Sequence, residues 1–139
     1  MRGLSATADN PSNNKNSSNE KGGTLLIEGR TLITSTILNK KGSKLGRINE
    51  LILDISDGRI IFVIISFGGI YGFKERLTAV PWRLFRFNDI QKKYVLNIES
   101  NELYTAPGFD NNSWPETNGN YWSETIDEYY KDKNEPIVQ

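Results

Sequence analysis

Apolar residues crowd the middle of this chain and thin out at both ends. From Lys44 to Ile55 the apolar positions include Leu45, Ile48, Leu51, Leu53 and Ile55, a period near two with one skipped beat between Leu45 and Leu51. That pattern predicts a long strand with a bulge near Gly46, and a bulge bends the strand. Arg59 to Phe67 is apolar on both faces. One face can fill a barrel interior, and the other needs a cover. Between the two strands, Asp57-Gly58 predicts a two-residue hairpin turn with positive φ at both positions. Upstream, order should begin near Leu25-Leu26-Ile27, and Leu32 to Leu38 reads as a strand with a helical turn at Thr34. Asn39 to Gly42 is turn chemistry. Downstream come a glycine loop from Gly68 to Gly72, a short strand over Leu77 to Pro81, a turn over Asn88 to Lys93, and an alternating strand over Tyr94 to Ile98. Short strands at such spacing predict an all-β fold: a small, twisted barrel of five or six strands over residues 31–98.

The flanks read differently. Residues 1–24 are rich in Asn, Ser, Gly and Lys and offer almost nothing to bury, so they are expected to be disordered. The body follows over 25–98. A C-terminal extension over 99–134 carries Leu103, Tyr104, Phe109, Trp114, Tyr121, Trp122, Ile126, Tyr129 and Tyr130, too much apolar area for a solvated segment. It is expected to pack on the barrel as a strap and to contain a short helix capped by Ser123, with Glu124 and Lys131 suited to its dipole. Residues 135–139 are expected to fray.

Composition removes whole classes of chemistry. The chain of 139 residues has no Cys and no His, which excludes thiol nucleophiles, disulfides, Cys/His zinc sites and a Ser-His-Asp triad. No calcium-loop pattern and no run of eighteen apolar residues occur. No cofactor and no catalytic residue is expected, and the N-terminus lacks the design of a secretory signal. The expected compartment is the cytoplasm, with the periplasm open if a leader once preceded this sequence. The net charge of zero hides a split. Residues 25–98 hold twelve basic and six acidic side chains, a net +6, whereas residues 99–139 hold two basic and nine acidic ones, a net −7. Either the two segments neutralise each other or the body takes an anionic partner.

Candidate sites are correspondingly sparse. Lys40, Lys41, Lys44 and Arg47 form a basic cluster across one hairpin, joined by Arg83 and Arg86; it is either a solvated face or a docking surface. Gly68 and Gly69 lack the Lys-Ser/Thr of a phosphate loop and are expected to turn the chain. Asp57 and Gly58 have the hairpin turn as their expected role. Pro81 suits a strand end, and Trp82 suits packing at the core or rim.

The run Leu45-Gly46-Arg47-Ile48-Asn49-Glu50-Leu51-Ile52-Leu53-Asp54, the Asp57-Gly58-Arg59-Ile60 turn, Phe67-Gly68-Gly69 and Val80-Pro81-Trp82 together resemble the PRC-barrel family. That family includes the cytoplasmic domain of the photosynthetic reaction-centre H subunit and the C-terminal domain of the ribosome maturation factor RimM. Leu103-Tyr104-Thr105-Ala106-Pro107-Gly108-Phe109-Asp110 and Trp114-Pro115 look like the stand-alone bacterial branch, in which Pro107 and Trp114 would be structural. The resemblance implies a non-enzymatic module that binds other macromolecules. Unlike the H subunit, this sequence shows no membrane helix ahead of the barrel, and unlike RimM no preceding second barrel, so both specialised roles are expected to be weakened. The expectation is therefore a protein-interaction domain, self-associating as a homodimer and docking on a protein or membrane-associated complex. The alternative is an RNA-processing or ribosome-assembly module. The acidic extension counts against nucleic acid, because phosphate binding relies on an excess of Lys and Arg.

Overall fold

The computed structural model describes residues 25–68, 75–110, 112–116 and 120–133. Gly69 and the expectations for residues 1–24 and 135–139 fall outside the described residues. In chain order come α1 (Gly29–Leu32), β1 (Thr36–Leu38), β2 (Lys44–Asp54), β3 (Arg59–Phe67), β4 (Arg76–Pro81), a 3₁₀ turn (Trp82–Leu84), β5 (Phe85–Asn88), β6 (Lys93–Leu96), α2 (Ser100–Thr105), β7 (Gly108–Phe109) and α3 (Tyr121–Tyr129). The seven strands form one curled sheet in the order β5-β6-β1-β2-β3-β4-β7. The all-β expectation holds, with six strands between residues 36 and 96. The ladder does not close, and β5 and β7 are its edges.

The β2–β3 hairpin is the spine of the sheet. Against β1, the register of β2 shifts near Gly46: Ile37 pairs with Gly46 and Leu38 with Lys44, so Leu45 is the extra residue; against β3 it shifts again between Ile48 and Glu50 and between Ile52 and Leu53. Gly46 is required there, since a Cβ would sit 2.4 Å from the Ser66 carbonyl oxygen. The tip of the hairpin departs from the two-residue turn. Asp54 pairs with Arg59, leaving a four-residue loop in which only Gly58 has positive φ (76°). The reason is local. The Asp54 carboxylate accepts from the Ser56 N–H (2.9 Å) and hydroxyl (2.6 Å), which starts the turn early, and the Asp57 carboxylate accepts from Arg59 Nε (2.7 Å). Those Ser56 bonds also hold the Asp54 carboxyl below its ordinary pKa.

Other elements also differ from the sequence reading. The N-terminal helical turn is α1, ahead of Thr34, and Thr34 itself takes positive φ (74°), so β1 is only three residues long. Phe85–Asn88 is a strand and not a connection. β6 lies parallel to β1, through the pairs Ile37–Tyr94 and Leu38–Val95. In the extension, α3 begins at Tyr121, so Ser123 sits inside it, its hydroxyl donating to the Asn120 carbonyl (3.1 Å) rather than capping. A further helix, α2, carries a reciprocal capping box between Glu99 and Glu102.

One core joins barrel and extension. Ile37, Ile48, Val63, Ile64, Ile65, Leu77, Val80 and Leu96 share it with Leu103, Ala106, Ile126 and Tyr130. The second face of β3 is covered from α3, where Trp122 packs edge-on to Phe62 at 5.4 Å. β7 pairs with β4 through Leu77–Phe109 and Thr78–Gly108 and shields that end of the sheet.

Candidate functional site

A groove of about 970 Å³ lies between two hairpins of the sheet. One wall is the outer half of the β2–β3 hairpin, with Leu51, Leu53 and Ile60. The other is the β5–β6 hairpin, with Phe85, Phe87 and Tyr94; Trp82 and Arg83 also line the groove. β5 alternates between Phe85, Arg86 and Phe87; Arg86 also borders the groove, its guanidinium donating to the Phe85 carbonyl at 3.0 Å. Trp82 stacks on Phe85 at 5.8 Å and leans on Tyr94 at 6.2 Å. Burial raises the Tyr94 hydroxyl pKa. Leu25, Leu26 and Ile27 line the same groove while remaining more than half exposed (62, 89 and 53%). Large aliphatic groups left this open beside a concave apolar surface mark an interaction site.

The basic residues divide into two roles. Arg83 does not join the Lys40–Arg47 cluster. Its guanidinium donates to the carbonyls of Tyr130 and Lys133, both at 2.9 Å, and so clamps the carboxyl end of α3 to the barrel. Arg86 lies in a row with Lys44, because Arg86 pairs with Val95, Val95 with Leu38, and Leu38 with Lys44. Ile37 and Tyr94 belong to the core cluster, whereas Val95, itself buried, and the half-buried Leu38 lie outside it, on the opposite face of the sheet. Two residues along, Lys93 pairs with Asn88 on β5, and Thr36 pairs with Arg47. Lys93 escapes the sequence reading altogether, since only the parallel β1–β6 register places it beside Thr36. Lys40 and Lys41 are exposed in the turn that follows Leu38. The Asn39 carboxamide oxygen holds that turn by accepting from the N–H groups of Lys41 and Ser43, both at 2.9 Å. The outer face of β5-β6-β1-β2 is thus a four-cation patch of Arg86, Lys93, Lys44 and Arg47 over a floor of Leu38 and Val95.

The remaining residues singled out from sequence hold structure. Gly58 and Gly68 have positive φ (76° and 71°), and Pro81 ends β4, buried and paired with Phe62. The Pro107 carbonyl accepts from Thr78 Oγ1 at 2.7 Å, and Trp114 packs on Phe109 at 4.9 Å. Among the described residues no three carboxylates gather as metal ligands, and no helix is long and apolar enough to cross a membrane. The ion pairs Arg59–Asp57, Lys92–Asp89, Lys131–Glu128 and Lys133–Glu102 each lie within the body or within the extension, so none of these four bridges the two charged halves.

A search of curated proteins gave no significant match to the chain. The family model for the PRC-barrel domain does match, over residues 26–103, a span that starts at the groove-lining Leu26 and ends at the core residue Leu103. The bulged β2–β3 hairpin, the Pro81-Trp82 corner and the strands around them all fall inside that match, and the chain belongs to the PRC-barrel domain family.

Proposed function

We propose that this protein is a non-catalytic interaction module that docks an extended segment of a protein partner and associates with a second copy of itself. The observation that carries the reading is the groove beside β5, an edge strand among the described residues. A strand added alongside β5 would extend the sheet and send alternate side chains into the space lined by Phe85, Phe87, Leu51, Leu53 and Ile60. By resemblance to the reaction-centre H subunit, the partner belongs to a protein or membrane-associated complex, an electron-transfer assembly being the nearest parallel. A photo-crosslinking residue in place of Phe87, in the full chain and in its native host, tests this. The expected adduct is an extended apolar peptide of one protein, lost when Ile60→Asp puts a charge into the groove. The absence of any protein adduct overturns the reading.

The four-cation outer face favours a second reading, a module for RNA processing or ribosome assembly. Against it, the aromatic side chains of β5 and β6 (Phe85, Phe87, Tyr94) turn inward, leaving that face no platform for base stacking. Tight, saturable binding of a structured RNA at physiological salt would replace the first reading by this one.

A further inference from the structure

We infer that self-association runs through charge: the outer face of β5-β6-β1-β2 receives the acidic stripe of α3 from a second copy. This rests on the self-association reading above and names its surfaces. The receiving face presents Lys93, Lys44 and Arg47, with Lys40 and Lys41 in the adjoining turn, all exposed. Glu99 is the acid at its margin, engaged with Asn39 Nδ2 at 3.4 Å and with the α2 cap.

The donor stripe lies on the other half of the molecule. Ile126 and Tyr130 turn α3's buried side to the core. Glu124 and Glu128, one turn apart, and Asp132, one turn further in the residues after α3, are exposed. Asp127 is excluded, since it lies beside Arg59 and Arg83 of its own chain. Lys131 offsets Glu128 in part (2.8 Å), through a pair too exposed to cancel the stripe.

Four residues at 1.5 Å rise set Glu124 and Glu128 about 6 Å apart along α3, and two strand spacings set Lys93 about 10 Å from β2, which carries Lys44 and Arg47. The body carries +6 and the extension −7, so the two surfaces are of opposite sign and attract across a pair of copies. A two-fold pair uses the contact twice, each copy giving its stripe and receiving the other's.

The test is a charge swap on the full chain. Light scattering of the wild type at about 20 mM salt should give a mass well above 15.8 kDa, falling to that value near 0.5 M as the charges are screened. Lys44→Glu with Arg47→Glu in one variant, and Glu124→Lys with Glu128→Lys in another, should each be monomeric. An equimolar mixture of the two should recover the larger mass, because both contacts become complementary again. Far-UV circular dichroism checks that both variants fold. Self-association that survives high salt and both variants overturns this inference while leaving the self-association reading intact. A wild type that is monomeric at every salt concentration overturns both and leaves partner docking standing.

Discussion

Single residues here carry roles that follow from what they touch. Tyr130 is wholly buried, and burial drives its hydroxyl pKa well above the ordinary value of 10.0. That hydroxyl makes no well-formed hydrogen bond among the described residues; the Thr78 hydroxyl beside it donates to Pro107 and could only accept from it. A buried polar group without a partner contributes nothing by staying, so Tyr130→Phe should leave the melting temperature unchanged or raise it. Tyr130→Ala should cost about 3–5 kcal/mol through the cavity it opens. A Phe variant as damaged as the Ala variant would show that the hydroxyl is bonded after all. Gly46 makes the opposite case. Its Cβ position is blocked by backbone, which cannot rotate aside, so Gly46→Ala should cost about 1–3 kcal/mol in thermal unfolding. Gly58 has open space around it, and its Ala variant should lose only the left-handed-backbone penalty of about 1–2 kcal/mol.

At the scale of elements, legibility tracked the length of the pattern. β2 and β3 are eleven and nine residues long and could be read with their bulge and their two-sided burial. β5 shows only Phe85-Arg86-Phe87 of alternation, too little to separate a strand from a connection. α2 did leave a signal, Glu99 followed three residues later by Glu102, whose side chains close the cap. Half of the candidate site was legible: the basic residues of β1–β2 could be listed from sequence. Their union with Arg86 and Lys93 could not, because it depends on a parallel register between strands more than fifty residues apart. Arg83 looked like a member of that cluster by composition and is instead a clamp on two carbonyls. The α2–α3 contact carries a pH dependence. Burial raises the Glu102 pKa, but Lys133 and the Glu99 N–H outweigh it and leave the group below its ordinary 4.5. A carboxyl lowered in the folded state contributes stability above its unfolded pKa and loses it as pH falls through the folded one. Stability should therefore decline below about pH 4.5, and Glu102→Gln should flatten that decline by at most about 1 kcal/mol, since Lys133 is over a third exposed. An unaltered acid limb would remove the pair from the account.

At the scale of the whole molecule, the question is whether barrel and extension are one cooperative unit. The family match ends at Leu103, yet Ile126 and Tyr130 beyond it are as deeply buried as Ile37 and Val63 within it. β7 supplies the last rung beside β4, Trp122 covers Phe62, and Arg83 ties the end of α3 to the corner after β4. A core shared in this way does not melt in halves, because losing α3 would strip cover from β3 and β4 together. Chemical unfolding should then be a single transition. The fluorescence of Trp82 at the groove and Trp122 under α3, and the far-UV signal of the strands, should share one midpoint. Removing residues 103–139 should expose the β3 and β4 faces and cause aggregation or a large loss of stability. Separate tryptophan variants locate any departure: a Trp122 signal that moves at lower denaturant than the Trp82 signal would make the extension an appendage. Coincident curves would make it part of the folding unit, and the acidic stripe on α3 would then sit at a fixed distance from the basic sheet face.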